Sequence, residues 1–185
     1  MSALHAFAGT FEPVPAEPNG KPSGLQLRVV KYDGSTNGAI TVEVTNPTGA
    51  AAEFAPQGLF FVPDVDPDKA PQRLGAVGSM LRKGQASRTE KLLVGAGQTE
   101  QLTLDVYCID SHRPSPGPAT PFRVGKERMP RELSQSIDAN TKAATKGAGG
   151  VHAAPAKPMV QSEVWKTRDS KWIKLDGEGK QEAAK

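Results

Sequence analysis

Apolar and polar residues alternate in several short runs of this chain, the period-two signature of strands covered on one face. In residues 39–45, Ile40, Val42 and Val44 share one side while Thr41, Glu43 and Thr45 share the other. In residues 101–108, Leu102, Leu104, Val106 and Cys108 take the inner side, and Thr103, Asp105 and Tyr107 the outer. Residues 25–32 repeat the pattern with Leu27 and Val29 inward and Arg28 outward, then reach the turn pair Asp33-Gly34. This run and the one around Ile40 therefore predict a hairpin. Asn46-Pro47-Thr48-Gly49 stops the second strand, because proline presets a turn and glycine supplies its positive φ. Shorter candidates follow at 53–54, 59–62, 72–77 and 91–94, and the run 59–62 is apolar enough for burial on both faces.

Short strands separated by turn residues, with no helix between them, predict a mainly β domain: an antiparallel Ig-like β-sandwich of seven or eight strands. After Cys108 the pattern changes. Arg113-Pro114-Ser115-Pro116-Gly117-Pro118 cannot join a ladder, since each proline lacks a donor, and is expected to run over the surface. Residues 130–145 predict a helix, with Pro130 and Glu132 in its first turn and Leu133, Ile137 and Ala144 on one stripe. Residues 147–158 have linker composition, 159–165 fit a short helix or strand, and 172–175 alternate like an edge strand. The expected organisation is an N-terminal extension at 1–20, the sandwich at 21–125, a short helical and linker region packing on it at 126–175, and a disordered tail at 176–185.

Composition sharpens this picture. Hydrophobic residues are 37% of the chain and aromatics 5%, with 16 prolines and 19 glycines, which fits a compact centre with polar ends. The net charge of +3 arises from 23 basic and 20 acidic side chains mixed along the length, a pattern of solubility rather than of nucleic-acid binding. No apolar stretch reaches the roughly 18 residues a membrane span needs. The first residues lack the basic start and apolar middle of a signal peptide, so the chain as written reads as cytoplasmic, exported only if a leader preceded Met1. One cysteine excludes an internal disulfide and a thiolate zinc cage.

The candidate chemistry is sparse. Asp64, Asp66 and Asp68 alternate as in a calcium loop, but Lys69 stands where a glycine must turn and Gly75 where a bidentate glutamate belongs, so a solvated acidic loop is expected. Cys108, Asp110 and His112 place a thiol, a carboxylate and an imidazole within five positions, aimed alike if the strand continues. They form the alternative reading, a metal-binding or thiol-dependent enzyme. The same alternation turns Cys108 toward Leu104 and Val106 as an inert core residue. Gly95-Ala96-Gly97 precedes a strand, lacks a third glycine and reads as a turn. Trp165, Lys166, Arg168, Lys171, Trp172 and Lys174 interleave aromatics with bases as a nucleic-acid stacking surface would, yet Glu163, Asp169 and Asp176 dilute that charge.

Asn46-Pro47-Thr48, Gly58-Leu59-Phe60-Phe61-Val62-Pro63, Gln72-Arg73-Leu74, Gly97-Gln98-Thr99-Glu100, Tyr107-Cys108-Ile109-Asp110-Ser111-His112-Arg113-Pro114 and Gln161-Ser162-Glu163-Val164-Trp165 occur in this order. In that order the chain resembles an uncharacterised group of bacterial, often exported, sandwich-like proteins, over roughly residues 25–165. The resemblance implies a fold and carries no activity or site residues. The function expected is a non-catalytic structural or protein-interaction module that docks to a protein partner or to its own copies. No catalytic, metal-binding or cofactor-binding residue is assigned and nucleic acid is not the expected partner; the contact residues expected are Phe60, Phe61, Arg113, Trp165 and Trp172.

Overall fold

The computed structural model describes residues 9–34, 38–147, 156–171 and 175. Ten strands come first: β1 (Glu12–Pro13), β2 (Gln26–Tyr32), β3 (Ala39–Thr45), β4 (Ala52–Phe54), β5 (Phe60–Pro63), β6 (Leu74–Arg82), β7 (Arg88–Thr89), β8 (Leu92–Val94), β9 (Thr99–Cys108) and β10 (Phe122–Val124). Two helices, α1 (Arg131–Gly147) and α2 (Ala156–Lys171), follow. All strand pairs are antiparallel. The larger sheet has eight strands in the order β1-β2-β3-β9-β6-β5-β10, with β7 beside β6, and β4 pairs β8 in a separate ribbon.

The larger sheet curls until its ends approach, which makes it barrel-like. β10, at one end of the order, lies against β2 near the other. The Tyr32 and Phe122 rings meet edge to face there, with centroids 5.4 Å apart. The inner face of this curl is the main core. Ile40, Val42 and Val44 of β3 and Leu102, Leu104, Val106 and Cys108 of β9 are all fully buried, as the alternation predicts. Phe54 and Val94 carry the β4–β8 ribbon onto the same core, while Leu93 between its inward neighbours stays exposed.

A second apolar cluster lies outside the sheet, under the helices. Leu133 and Ile137 of α1 and Val160 and Val164 of α2 cover Phe60, Val77, Tyr107 and Ile109. Burying each of these aliphatic side chains contributes on the order of 1.5–3 kcal/mol, enough to hold an otherwise polar helix in place. Tyr107 is expected to face solvent; here it is buried, because the helices cover that face of β9. The predicted helix at 130–145 matches α1, and the ambiguous run 159–165 lies within α2. Where α1 crosses β6, the strand bulges between Ala76 and Met80, and the freed Gly78 amide donates to the Asp138 carboxylate at 2.7 Å. No helix among the described residues is long and apolar enough to cross a membrane.

Candidate functional site

Strand β9 stops at Cys108, so the alternation that would aim Cys108, Asp110 and His112 together does not continue. Cys108 points into the core with no exposure, Asp110 is buried in an ion pair, and His112 sits exposed in the following turn. Burial pushes the Cys108 thiol up to about 12, with the Asp110 charge adding to the effect. Such a group stays protonated at neutral pH and is a poor nucleophile. No cluster of metal-ligating side chains occurs among the described residues.

A buried polar knot surrounds Asp110. Arg73 grips the carboxylate with its main-chain amide and Nε, both at 2.9 Å from Oδ2, and with Nη2 at 2.7 Å from Oδ1. Arg168 of α2 approaches Oδ1 at 3.7 Å. Burial alone would raise the Asp110 carboxyl, but the Arg73 hydrogen bonds and charge outweigh it and hold the group below its ordinary range. Gln72 Oε1 accepts from the Asp110 amide at 3.2 Å and from Trp165 Nε1 at 3.0 Å.

Gln161 completes the knot by acting as a strand. The Val106 amide still bonds Gly38 at 3.0 Å, just before β3 begins, and two residues later the Cys108 main chain faces a gap in the ladder among the described residues. The Gln161 carboxamide fills it, accepting from the Cys108 amide at 2.9 Å and donating to its carbonyl at 2.6 Å. Every polar group in this pair is thereby satisfied away from water. The knot anchors α2.

The expected contact residues scatter. Phe60 and Phe61 are interior, Phe60 under the helices and Phe61 in the main core, so neither ring offers a surface. Alternation on β5 sends them to opposite faces, and both faces are covered. Arg113 is half-buried and donates to the Pro67 and Ala70 carbonyls, each at 3.2 Å. Trp165 is half-buried against the core, and Trp172 lies outside the described residues. The acidic loop holds a 3₁₀ turn, Pro67–Lys69, in which the Asp66 carboxylate accepts from the Asp68 amide.

The curled sheet leaves a seam between β1 and β10, covered at one end where Gly9, bonded to Val29, lies beside the Phe122 carbonyl. The Asp64–Pro121 and Gly125–Phe60 main-chain bonds mark the pairs that bond between β5 and β10. Antiparallel pairs alternate, so the main-chain groups of Phe122 and Val124 face away from β5, toward the seam. Across it, the Val14 amide bonds the Leu25 carbonyl just before β2, which turns residues 13 and 15 toward the seam. Both are prolines. Neither can donate an N–H to a ladder across the seam. The result is a groove of about 710 Å³ with mostly apolar walls, Pro13, Val14, Pro15 and Pro22 on one side and Arg123 and Val124 on the other. Prolines at alternate positions, 13 and 15, were the sequence signal of this edge; without knowing which strand they flank, it cannot be read.

Comparison with protein-family models, with curated proteins and with solved structures gives no match to this chain.

Proposed function

We propose that this chain is a non-catalytic protein-interaction module whose docking surface is the seam between β1 and β10. The observation that carries the reading is the Val124 main chain, which faces an apolar groove with no strand paired to it among the described residues. Exposed sheet edges are templates for another chain, and proteins usually blunt them. Here one side is blunted by prolines, and on the other Val124 has no strand partner among the described residues. The antiparallel pairing and the β4–β8 ribbon packed on the core support an Ig-like sandwich as part of the same reading.

Photo-crosslinking in the cells that make the protein tests this. A photo-reactive phenylalanine at position 123 should form one discrete protein adduct, absent when the reactive group stands at exposed position 93 and lost when Ala16→Trp fills the groove. Equal labelling from both positions, or none from 123, removes the seam as the docking surface.

A further inference from the structure

We infer that α2 is a strap: it lifts from β9 as one unit while the curled sheet stays folded, and Gln161 fills the strand position beside Cys108 only while the strap is closed. The inference does not depend on the seam and concerns a motion built into the fold.

α2 follows β9 and the turn after it with one polar contact per helical turn. Lys157 Nζ stands 3.8 Å from Asp105 Oδ1, and Gln161 holds the Cys108 main chain. Trp165 donates to Gln72, and Asp169 accepts from the Ser111 hydroxyl at 2.5 Å. These four residues are spaced by four and share one stripe of the helix. On the adjoining stripe Val160 and Val164 lead to Arg168, which is 1% exposed beside Asp110. Against α1 the helix adds a hydroxyl pair, Ser136 and Thr167, 3.0 Å apart. Val160 and Val164 are the buried apolar side chains described on α2, so its grip is largely polar.

A polar grip opens more readily than it tolerates deletion. When α2 lifts, the Cys108 amide and carbonyl, the Gln161 carboxamide and the Arg168 guanidinium all pass to water, and each lost bond is exchanged for hydration. Asp110 keeps its three bonds to Arg73. No strand pair is broken, since α2 lies outside both sheets. The main core inside the curl gives up only Trp165, which packs on it partly buried. α1 is fastened separately, by Leu133, by Ile137 and by the Asp138 bond to Gly78. A segment with few buried apolar contacts opens at less cost than the whole domain. The open strap uncovers Tyr107 and Ile109, and it leaves the Cys108 amide and carbonyl as an unfilled ladder position.

Amide hydrogen exchange of the full chain in low urea reads this motion, because two amides on one strand answer to different partners. The Cys108 amide is held by Gln161 and the Val106 amide by Gly38. Cys108 should exchange together with the α2 amides from Gln161 to Arg168, with a shallow urea dependence that marks a small exposed surface. Val106, and Val42 of β3, should exchange more slowly and with the steep dependence of global unfolding. Gln161→Ala should speed the α2 amides by roughly tenfold or more, as expected when closing strands two buried polar groups, and leave Val106 and Val42 unchanged. Cys108 exchanging at the rate and urea slope of Val106, α2 amides that exchange only with the sheet, or equal acceleration of all these amides in Gln161→Ala overturns the inference.

Discussion

Gln161 and Cys108 are joined as one strand is joined to another: the side-chain amide of the first holds both main-chain groups of the second, at 2.6 and 2.9 Å. An α-helix thereby finishes a β-ladder that β3 leaves incomplete. Gln161→Ala would strand a buried donor and a buried acceptor, at about 1–3 kcal/mol each. The expected loss is therefore about 2 kcal/mol or more in urea unfolding. Gln161→Glu should be worse, because a carboxylate cannot donate to the Cys108 carbonyl and brings a charge into a buried site. A Glu variant as stable as the parent would refute the strand-like role.

Asp110 makes stability depend on acid. Its folded carboxyl releases its proton more readily than the unfolded one, owing to Arg73, so its contribution is complete above the ordinary carboxylate range. The contribution is lost as pH falls below about 4 and through the folded value. Urea midpoints measured from pH 6 to pH 2 should fall more steeply for the parent than for Asp110→Asn. At neutral pH that variant should be less stable by about 3–5 kcal/mol, since it leaves Arg73 buried without its counter-charge.

Cys108 should be silent in the native protein. With the thiol raised to about 12 and wholly enclosed, a disulfide reagent at pH 8 is expected to find nothing until denaturant is added. One thiol per chain should then appear. Fast native labelling would contradict the burial described here, and a count below one would show that the sulfur is already bonded.

Gly125 is a close-packing glycine. A Cβ there would lie 2.5 Å from Cζ of the Phe60 ring, which is buried beneath α1 and has no room to retreat. Gly125→Ala should cost about 1–3 kcal/mol through overpacking. Gly49, which the sequence casts as a positive-φ turn glycine, does not take a left-handed φ and a Cβ there meets nothing within 4 Å, so Gly49→Ala should be near neutral in the same thermal melts. Equal effects at both sites would remove the ring contact as the cause.

The strands with long alternating runs were legible because their period repeats often enough to exceed chance: Ile40, Val42 and Val44 on β3, and Leu102 to Cys108 on β9, lie where the pattern puts them. β1 and β10 were not, since two or three residues cannot establish a period, and their pairing depends on the curl of the whole sheet. The helix at 130–145 was readable from its stripe, but its destination was not. That Tyr107 would be covered follows only from where α1 and α2 dock. The Asp110 knot was half visible. The sequence places Asp110 near Cys108, whereas Arg73 and Arg168 reach Asp110 from 37 and 58 positions away, and Gln161 reaches Cys108 from 53, through tertiary packing.

The position of β9 has a consequence for synthesis. It is flanked by β3 and β6, so the two halves of the sheet cannot join until this late strand has left the ribosome. Until then a nascent chain carries two bare edges that could recruit each other wrongly. Recruitment of a chaperone to translating ribosomes should accordingly peak before residue 108 emerges and decline afterwards.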